Sequence, residues 1–193
     1  MGSEEAVNNP VSSLQQFCDR AKVGDEAKAL LNDQYSTKEF IALLVEKELF
    51  QDALRMVAFL LPRREAIGWA CLCVRHILPN PQEKPLPQVQ SAVERWVAGP
   101  YEEARWAAKE MADAEDPKSL SGLLALAVFL AGPSMAPPNV QAVPPPPHAC
   151  SEIVASVVFL AGVIKEPEKA NEKYGVFMQK AMALIARMQQ PQQ

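Results

Sequence analysis

Apolar residues recur along this chain at three- and four-residue intervals, and no stretch alternates in the two-residue rhythm of a strand. The pattern predicts helices. Short ones are expected at 12–21 and 25–33. Ser36-Thr-Lys-Glu39 has the form of a capping box opening a helix with Phe40, Leu43 and Leu44 on one face. The stretch 49–61 continues with Leu54, Val57, Ala58 and Leu61. Pro62 then opens a helix over 62–78. Its positions Ile67, Ala70, Cys71, Val74, Ile77 and Leu78 form one apolar face, and Trp69, Leu72, Cys73 and His76 a second. Only Arg64, Gly68 and Arg75 are left as a polar or small stripe. A helix apolar on two faces belongs at the centre of its bundle.

Beyond a proline-rich link at 79–87, a helix at 87–98 turns Val89, Ala92, Val93, Trp96 and Val97 inward. Trp69 and Trp96 are expected to be buried. Gly99-Pro100 restarts the chain, with Pro at the first helical position and Glu102 and Glu103 in the first turn, where the helix dipole favours them. Tyr101, Ala104, Ala108 and Met111 form the inward face there. Trp106 projects among Glu102, Glu103, Lys109, Glu110 and Asp113, on the charged side. Asp116-Pro117 repeats the device before 118–131. A helix at 150–164 follows, and a last one opened by Pro167 carries Tyr174, Phe177, Met178, Ala181, Leu184, Ile185 and Met188 on one side.

These elements define an all-α fold: a compact array of about eight to ten helices with an ordered proline-rich segment. Residues 1–11 are expected to be disordered, and 12–190 to form one domain. Its parts are 12–78, the link 79–87, 88–131, the proline-rich segment 132–148 and the helices of 149–190. Val-Phe-Leu-Ala-Gly occurs at 128–132 and again at 158–162. Each glycine falls where a helix would end, a position that favours a left-handed residue.

From residue 119 to 164 the only formal charge is Glu152, explained by its place in the first turn of a helix. At the middle lies Gly132-Pro-Ser-Met-Ala-Pro-Pro-Asn-Val-Gln-Ala-Val-Pro-Pro-Pro-Pro147. Such a segment is buried in protein, laid on a partner or sunk into a membrane. Burial is the first expectation: 133–147 ordered and largely packed, folding back between its two apolar flanking helices, with Val143–Pro147 braced on Trp106. The flanking run Leu120–Ala131 would be roughly 18 Å long as a helix, too short for a hydrocarbon core of about 30 Å.

The charge of −4 on 193 residues argues against a polyanion-binding protein, so no nucleic acid partner is expected. The N-terminus has no apolar core of a secretory signal. Cys71 and Cys73 stand about 200° apart around a helix, too far to share a metal or a disulfide. Together with Cys18 and Cys150 they read as reduced thiols of a cytoplasmic protein. Two histidines, His76 and His148, and no nucleophile, phosphate-loop or zinc motif argue against catalysis and imply no cofactor.

Three stretches carry a resemblance: Leu60-Leu-Pro-Arg-Arg-Glu-Ala-Ile-Gly-Trp-Ala-Cys71, Leu124-Ala-Leu-Ala-Val-Phe-Leu-Ala-Gly132 and Ala136-Pro-Pro-Asn-Val-Gln-Ala-Val-Pro-Pro-Pro-Pro147. Together they resemble an uncharacterised bacterial all-helical family, a domain of unknown function, over most of residues 40–187. The family's first pattern reads leucine-proline-x-arginine-glutamate-alanine-x-tryptophan-tryptophan-alanine; Gly68 stands here for the first tryptophan. The resemblance implies a shared fold. Some members sit near type VI secretion genes, which implies a secretion-system accessory role.

The expected function is a non-catalytic protein-interaction or adaptor module. Its candidate partner-binding residues are Arg63, Arg64, Arg75, Trp106, Pro144, Pro145, Pro146 and Pro147. Gly68 would floor a groove edged by arginines that takes a carboxylate or an acidic peptide. One alternative is a small enzyme or ligand-binding protein with a cleft near Arg64, Arg75 and His76. Another is a peripheral membrane protein using the basic stripe Lys169, Lys173, Lys180 and Arg187. The protein partner is unidentified from sequence, and a homo-oligomer is compatible with it.

Overall fold

The computed structural model describes residues 13–32, 34–79 and 86–189. Among them all regular structure is helical. The helices are α1 (Ser13–Arg20), α2 (Asp25–Lys28), α3 (Thr37–Glu46), α4 (Phe50–Leu60), α5 (Arg63–Ile77), α6 (Leu86–Ala98), α7 (Glu102–Ala114), α8 (Leu120–Leu130), α9 (Ala149–Val163) and α10 (Ala170–Met188). A 3-10 turn, Pro167–Lys169, leads into α10. The fold is all-α, as expected. The expectation for residues 1–11 lies outside the described residues, as does most of the 79–87 link; Leu86 and Pro87 already belong to α6.

Local chemistry sets most boundaries. The capping box forms: Ser36 Oγ accepts the Glu39 N–H, and the Glu39 carboxylate accepts the Ser36 N–H at 2.8 Å. The two Pro restarts act differently from expectation. Tyr101 is the N-cap of α7, and Ser119 caps α8 by accepting the Gly122 N–H at 3.0 Å, so Pro100 and Pro117 lie in the turns before their helices. Among the described residues the left-handed positions are Lys22, Glu48, His148 and Glu166, none of them glycine. Lys22 and Glu48 close α1 and α3 with bonds from Val23 N–H to Cys18 O (3.0 Å) and Leu49 N–H to Leu44 O (2.8 Å), which bind up the last carbonyls.

Helices α5 and α9 occupy the middle. α5 touches α4, α6, α8, α9 and α10, and α9 touches α4, α5, α8 and α10. Trp69 on α5 is fully buried and donates its indole N–H to Phe177 O of α10 at 3.0 Å; Trp96 is buried as well. The second apolar face expected on α5 is only partial, because Leu72 and His76 are exposed. Tyr101, expected inward, is 72% exposed. Leu184 is half-buried and Met188 is exposed at the end of α10.

The repeated Val-Phe-Leu-Ala-Gly segments do the same job twice. Neither Gly132 nor Gly162 is left-handed, which corrects the expectation. Each is a socket for a large side chain from another helix. A Cβ on Gly132 would meet Arg105 Cδ at 2.5 Å, and one on Gly162 would meet Tyr174 Cζ at 2.7 Å. The tip of each inserted side chain then donates to the carbonyl three residues earlier: Arg105 Nη1 to Phe129 O at 2.8 Å, Tyr174 Oη to Phe159 O at 3.2 Å. The phenylalanine ring of each repeat flanks its guest, with the Arg105 guanidinium 5.0 Å from the Phe129 ring and the Tyr174 ring 6.4 Å from that of Phe159.

Because the Tyr174 ring is rigid, Gly162→Ala is expected to lower stability by about 1–3 kcal/mol through overpacking. Gly175, with open space where a Cβ would stand, gives the opposite sign: Gly175→Ala is expected to add about 0.5–1 kcal/mol. Urea denaturation of the two variants checks both.

Candidate functional site

The arginines expected to face a partner are engaged with the fold. Arg63 Nη1 donates to Ala131 O at 3.1 Å, just past the end of α8. Arg64 donates from Nε to Val97 O (2.5 Å) and from Nη2 to Ala98 O (3.1 Å), closing the last carbonyls of α6. Arg75 pairs with Glu94 of α6 across the exposed edge. All three residues remain exposed, with one, two and one contacts respectively made within the fold.

Between these arginines a groove does open. Arg64, Glu65, Gly68, Leu72, Arg75, Glu94, Val97 and Leu184 line about 460 Å³, with Trp69 and Cys71 beneath. Gly68 is part of its lining; a Cβ there would touch Val97 Cγ1 at 3.3 Å, so the bare glycine lets α5 and α6 approach. Arg64 and Arg75 are offset by Glu65 and by the paired Glu94, so the rim carries no net positive charge. His76 is elsewhere. It lines a separate depression of about 270 Å³ with Ile77, Lys165, Glu166, Lys169, Glu172 and Lys173. The cleft expected to unite Arg64, Arg75 and His76 is therefore two sites, because His76 turns toward α10, where its ring stands edge-on to Phe177 at 6.3 Å.

The proline-rich segment is the largest departure. Expected to be largely packed, it lies mostly in water: of residues 137–148 only Pro145 is half-buried, and Val140 and Val143 are 58% and 48% exposed. The loop is pinned at its base. Ser134 Oγ accepts N–H groups from Ala136 (3.0 Å) and Val143 (3.1 Å), and Met135 N–H donates to Val143 O at 2.7 Å. At its far end His148 is left-handed, and its ring lies 5.5 Å from that of Phe59. The physical reason is steric and polar together. Prolines cannot enter a helix interior, their extended backbone leaves carbonyls that need water, and both flanking helices already bury their apolar faces on other helices.

Trp106 does not brace the prolines by burying them, since Pro144, Pro146 and Pro147 stay exposed. Its ring packs edge-on against Phe129 at 5.4 Å, and its N–H donates to Glu102 Oε1 at 3.1 Å. The residue at the centre of this corner, not anticipated from sequence, is Arg105. It is 2% exposed, with the Glu102 carboxylate, the Phe129 carbonyl and two aromatic faces around it. Its position was readable: it falls on the inward face between Ala104 and Ala108, three residues after a glutamate. The Arg105 hydrogen bond holds the Glu102 carboxyl below its ordinary value.

The four cysteines are free and buried. Burial pushes the thiols of Cys71 and Cys150 up to about 12 and that of Cys18 to about 11, and raises Cys73 as well. None is a thiolate near neutral pH. Among the described residues no three His, Cys, Asp or Glu side chains are grouped to hold a metal, and no helix is long and apolar enough to cross a membrane.

The fold and its surfaces define an all-α helical-array domain with a pinned, exposed proline loop. The chain belongs to the family of unknown function DUF6931, whose model matches residues 40–185, from α3 through α10. No curated protein and no solved structure matches it. Helices α1 and α2 lie outside the matched span. They are nonetheless tied to it by Lys22 Nζ to Glu152 (2.5 Å) and Gly24 N–H to Asp52 Oδ1 (2.8 Å).

Arg105→Met keeps the bulk but removes both the bond to Phe129 O and the pairing with Glu102, and is expected to cost about 1–3 kcal/mol at pH 7. The lowered Glu102 value means its stabilisation is present above the ordinary glutamate value of about 4.3 and fades as pH falls through the lower folded one. The stability gap between wild type and Arg105→Met should therefore narrow below about pH 4, as urea titrations at pH 7 and pH 3 would measure.

Proposed function

We propose that the protein is a non-catalytic interaction module that presents the loop around Pro133–Pro147 to a protein partner. The observation carrying this reading is the loop's exposure despite its composition: seven prolines and no formal charge, with Val140 and Val143 largely in water. Apolar surface held outside a core is where partners dock. The Ser134 and Met135 bonds support the reading further, because a loop already held in one shape loses little freedom on binding. The arginines and Trp106 then act in the scaffold rather than as the contact surface.

The groove over Gly68 supports a second reading, a small-molecule site. Its volume falls in the usual range of roughly 300–1,000 Å³, and its floor is apolar. The neutralised rim weighs against a carboxylate ligand and so against the acidic peptide expected from the arginine stripe.

A photo-reactive amino acid placed at Gln141 or Ala142, both exposed, tests the first reading in cells, with exposed Gln179 on α10 as the control. A discrete adduct from the loop positions and none from Gln179 is the expected outcome, and the adduct's identity tests the secretion-system setting. Equal labelling from all three positions would overturn the proposal.

A further inference from the structure

Resting on the reading of the loop as a partner surface, we infer that the partner reads Val143–Pro147 as a polyproline II helix, through an aromatic-lined groove that has no acidic pocket. Covalent chemistry dictates the conformation. Each of Val143, Pro144, Pro145 and Pro146 precedes a proline, which pushes it out of the helical region, and each proline ring fixes its own φ. The result is a left-handed helix with three residues per turn, so residues i and i+3 share an edge.

Three edges follow: Val143 with Pro146, Pro144 with Pro147, and Pro145 alone. Burial divides the run the same way. Pro145 is half-buried and the other four are exposed. One edge thus rests on the body of the protein, and the two remaining edges face water side by side. Grooves that read proline-rich segments receive two adjacent edges of this kind between aromatic rings. The run is also fixed at both ends, by Met135 N–H on Val143 O (2.7 Å) and by Ala149 N–H on Pro146 O (3.1 Å).

Charge selects among such readers. Grooves with an acidic specificity pocket require an arginine or lysine beside the prolines. Along the chain the nearest lysine or arginine side chains are Lys118 and Lys165, far from the run at either end, and Arg63, which the fold brings to the base of the loop, is turned onto Ala131 O. Recognition is left to ring stacking and to hydrogen bonds onto the proline carbonyls.

The test titrates the full chain into two isotope-labelled probes and follows their amide spectra. One is a WW-type domain with a Tyr–Trp groove; the other is an SH3-type domain with an acidic pocket. Saturable shifts confined to the aromatic groove of the first, with little response from the second, are expected. Pro144→Ala/Pro147→Ala removes one exposed edge, leaves Pro145 and the Ser134 bonds in place, and should weaken the titration at least tenfold while the urea transition stays cooperative and its midpoint falls only slightly, as the loss of two loop prolines requires. Stronger binding to the acidic probe, or no response from either, overturns the inference. So does self-association that is lost in the double variant, which would make a second copy the occupant. If cross-linking at Gln141 or Ala142 still yields its adduct while both probes are silent, the interaction module stands and only the partner's chemistry is wrong. Failure of both experiments removes both readings.

Discussion

Every helix ends with carbonyls that have no partner within it. Here long side chains from other helices satisfy several of them. Arg64 of α5 covers the end of α6, Arg63 the end of α8, Arg105 of α7 reaches into the last turn of α8, and Lys173 of α10 covers the end of α9 through Gly162 O (3.0 Å) and the turn after it through Glu166 O (2.9 Å). None of these three helices, α6, α8 and α9, ends in a left-handed glycine, and the cations stand where the usual glycine cap would act. A positive charge also meets the negative end of the helix dipole there. Closing a helix and placing its neighbour thus become one interaction, and the arrangement of α5 through α10 depends on it.

That constraint also shapes the charge at the groove. A helical protein with arginines gathered at one end of a central helix invites a reading as an anion or acidic-peptide receptor. Arg64 is turned onto the carbonyls that end α6, and Glu65 and Glu94 offset the two arginine charges at the groove. The cysteines are withdrawn into the core, and His76 is separated from the arginines by the direction of its side chain. The loop of residues 137–147, by contrast, lies mostly in water and carries no formal charge of its own.

Most of the architecture was legible because helical periodicity, the Ser36 capping box and the inward phase of Trp69 and Trp96 are local properties of the sequence. The phase of α10 was legible for the same reason, apart from its last turns. The sites were less so. Arg63 and Arg64 bond carbonyls 68 and 33 residues away, and no local pattern encodes that. Arg105 carried a signal in its spacing, but a charged residue on an inward face reads as an error until a partner for it is known. The glycines of the repeated segment were located correctly and explained wrongly, since a missing side chain serves close approach as well as a left-handed turn. The proline loop was misplaced because its lack of formal charge pointed to burial, whereas its backbone carbonyls need water and its prolines cannot enter a helix.

The same loop has an influence that none of its contacts reveals. Seven of the fifteen residues from Pro133 to Pro147 are prolines, and each restricts the chain before folding as well as after it. The disordered form of this connection between α8 and α9 therefore samples far fewer shapes than a glycine- or serine-rich one of equal length would, and folding gives up correspondingly less freedom there. A segment that touches little of the native protein thus helps to hold α8 and α9 together by impoverishing the alternative.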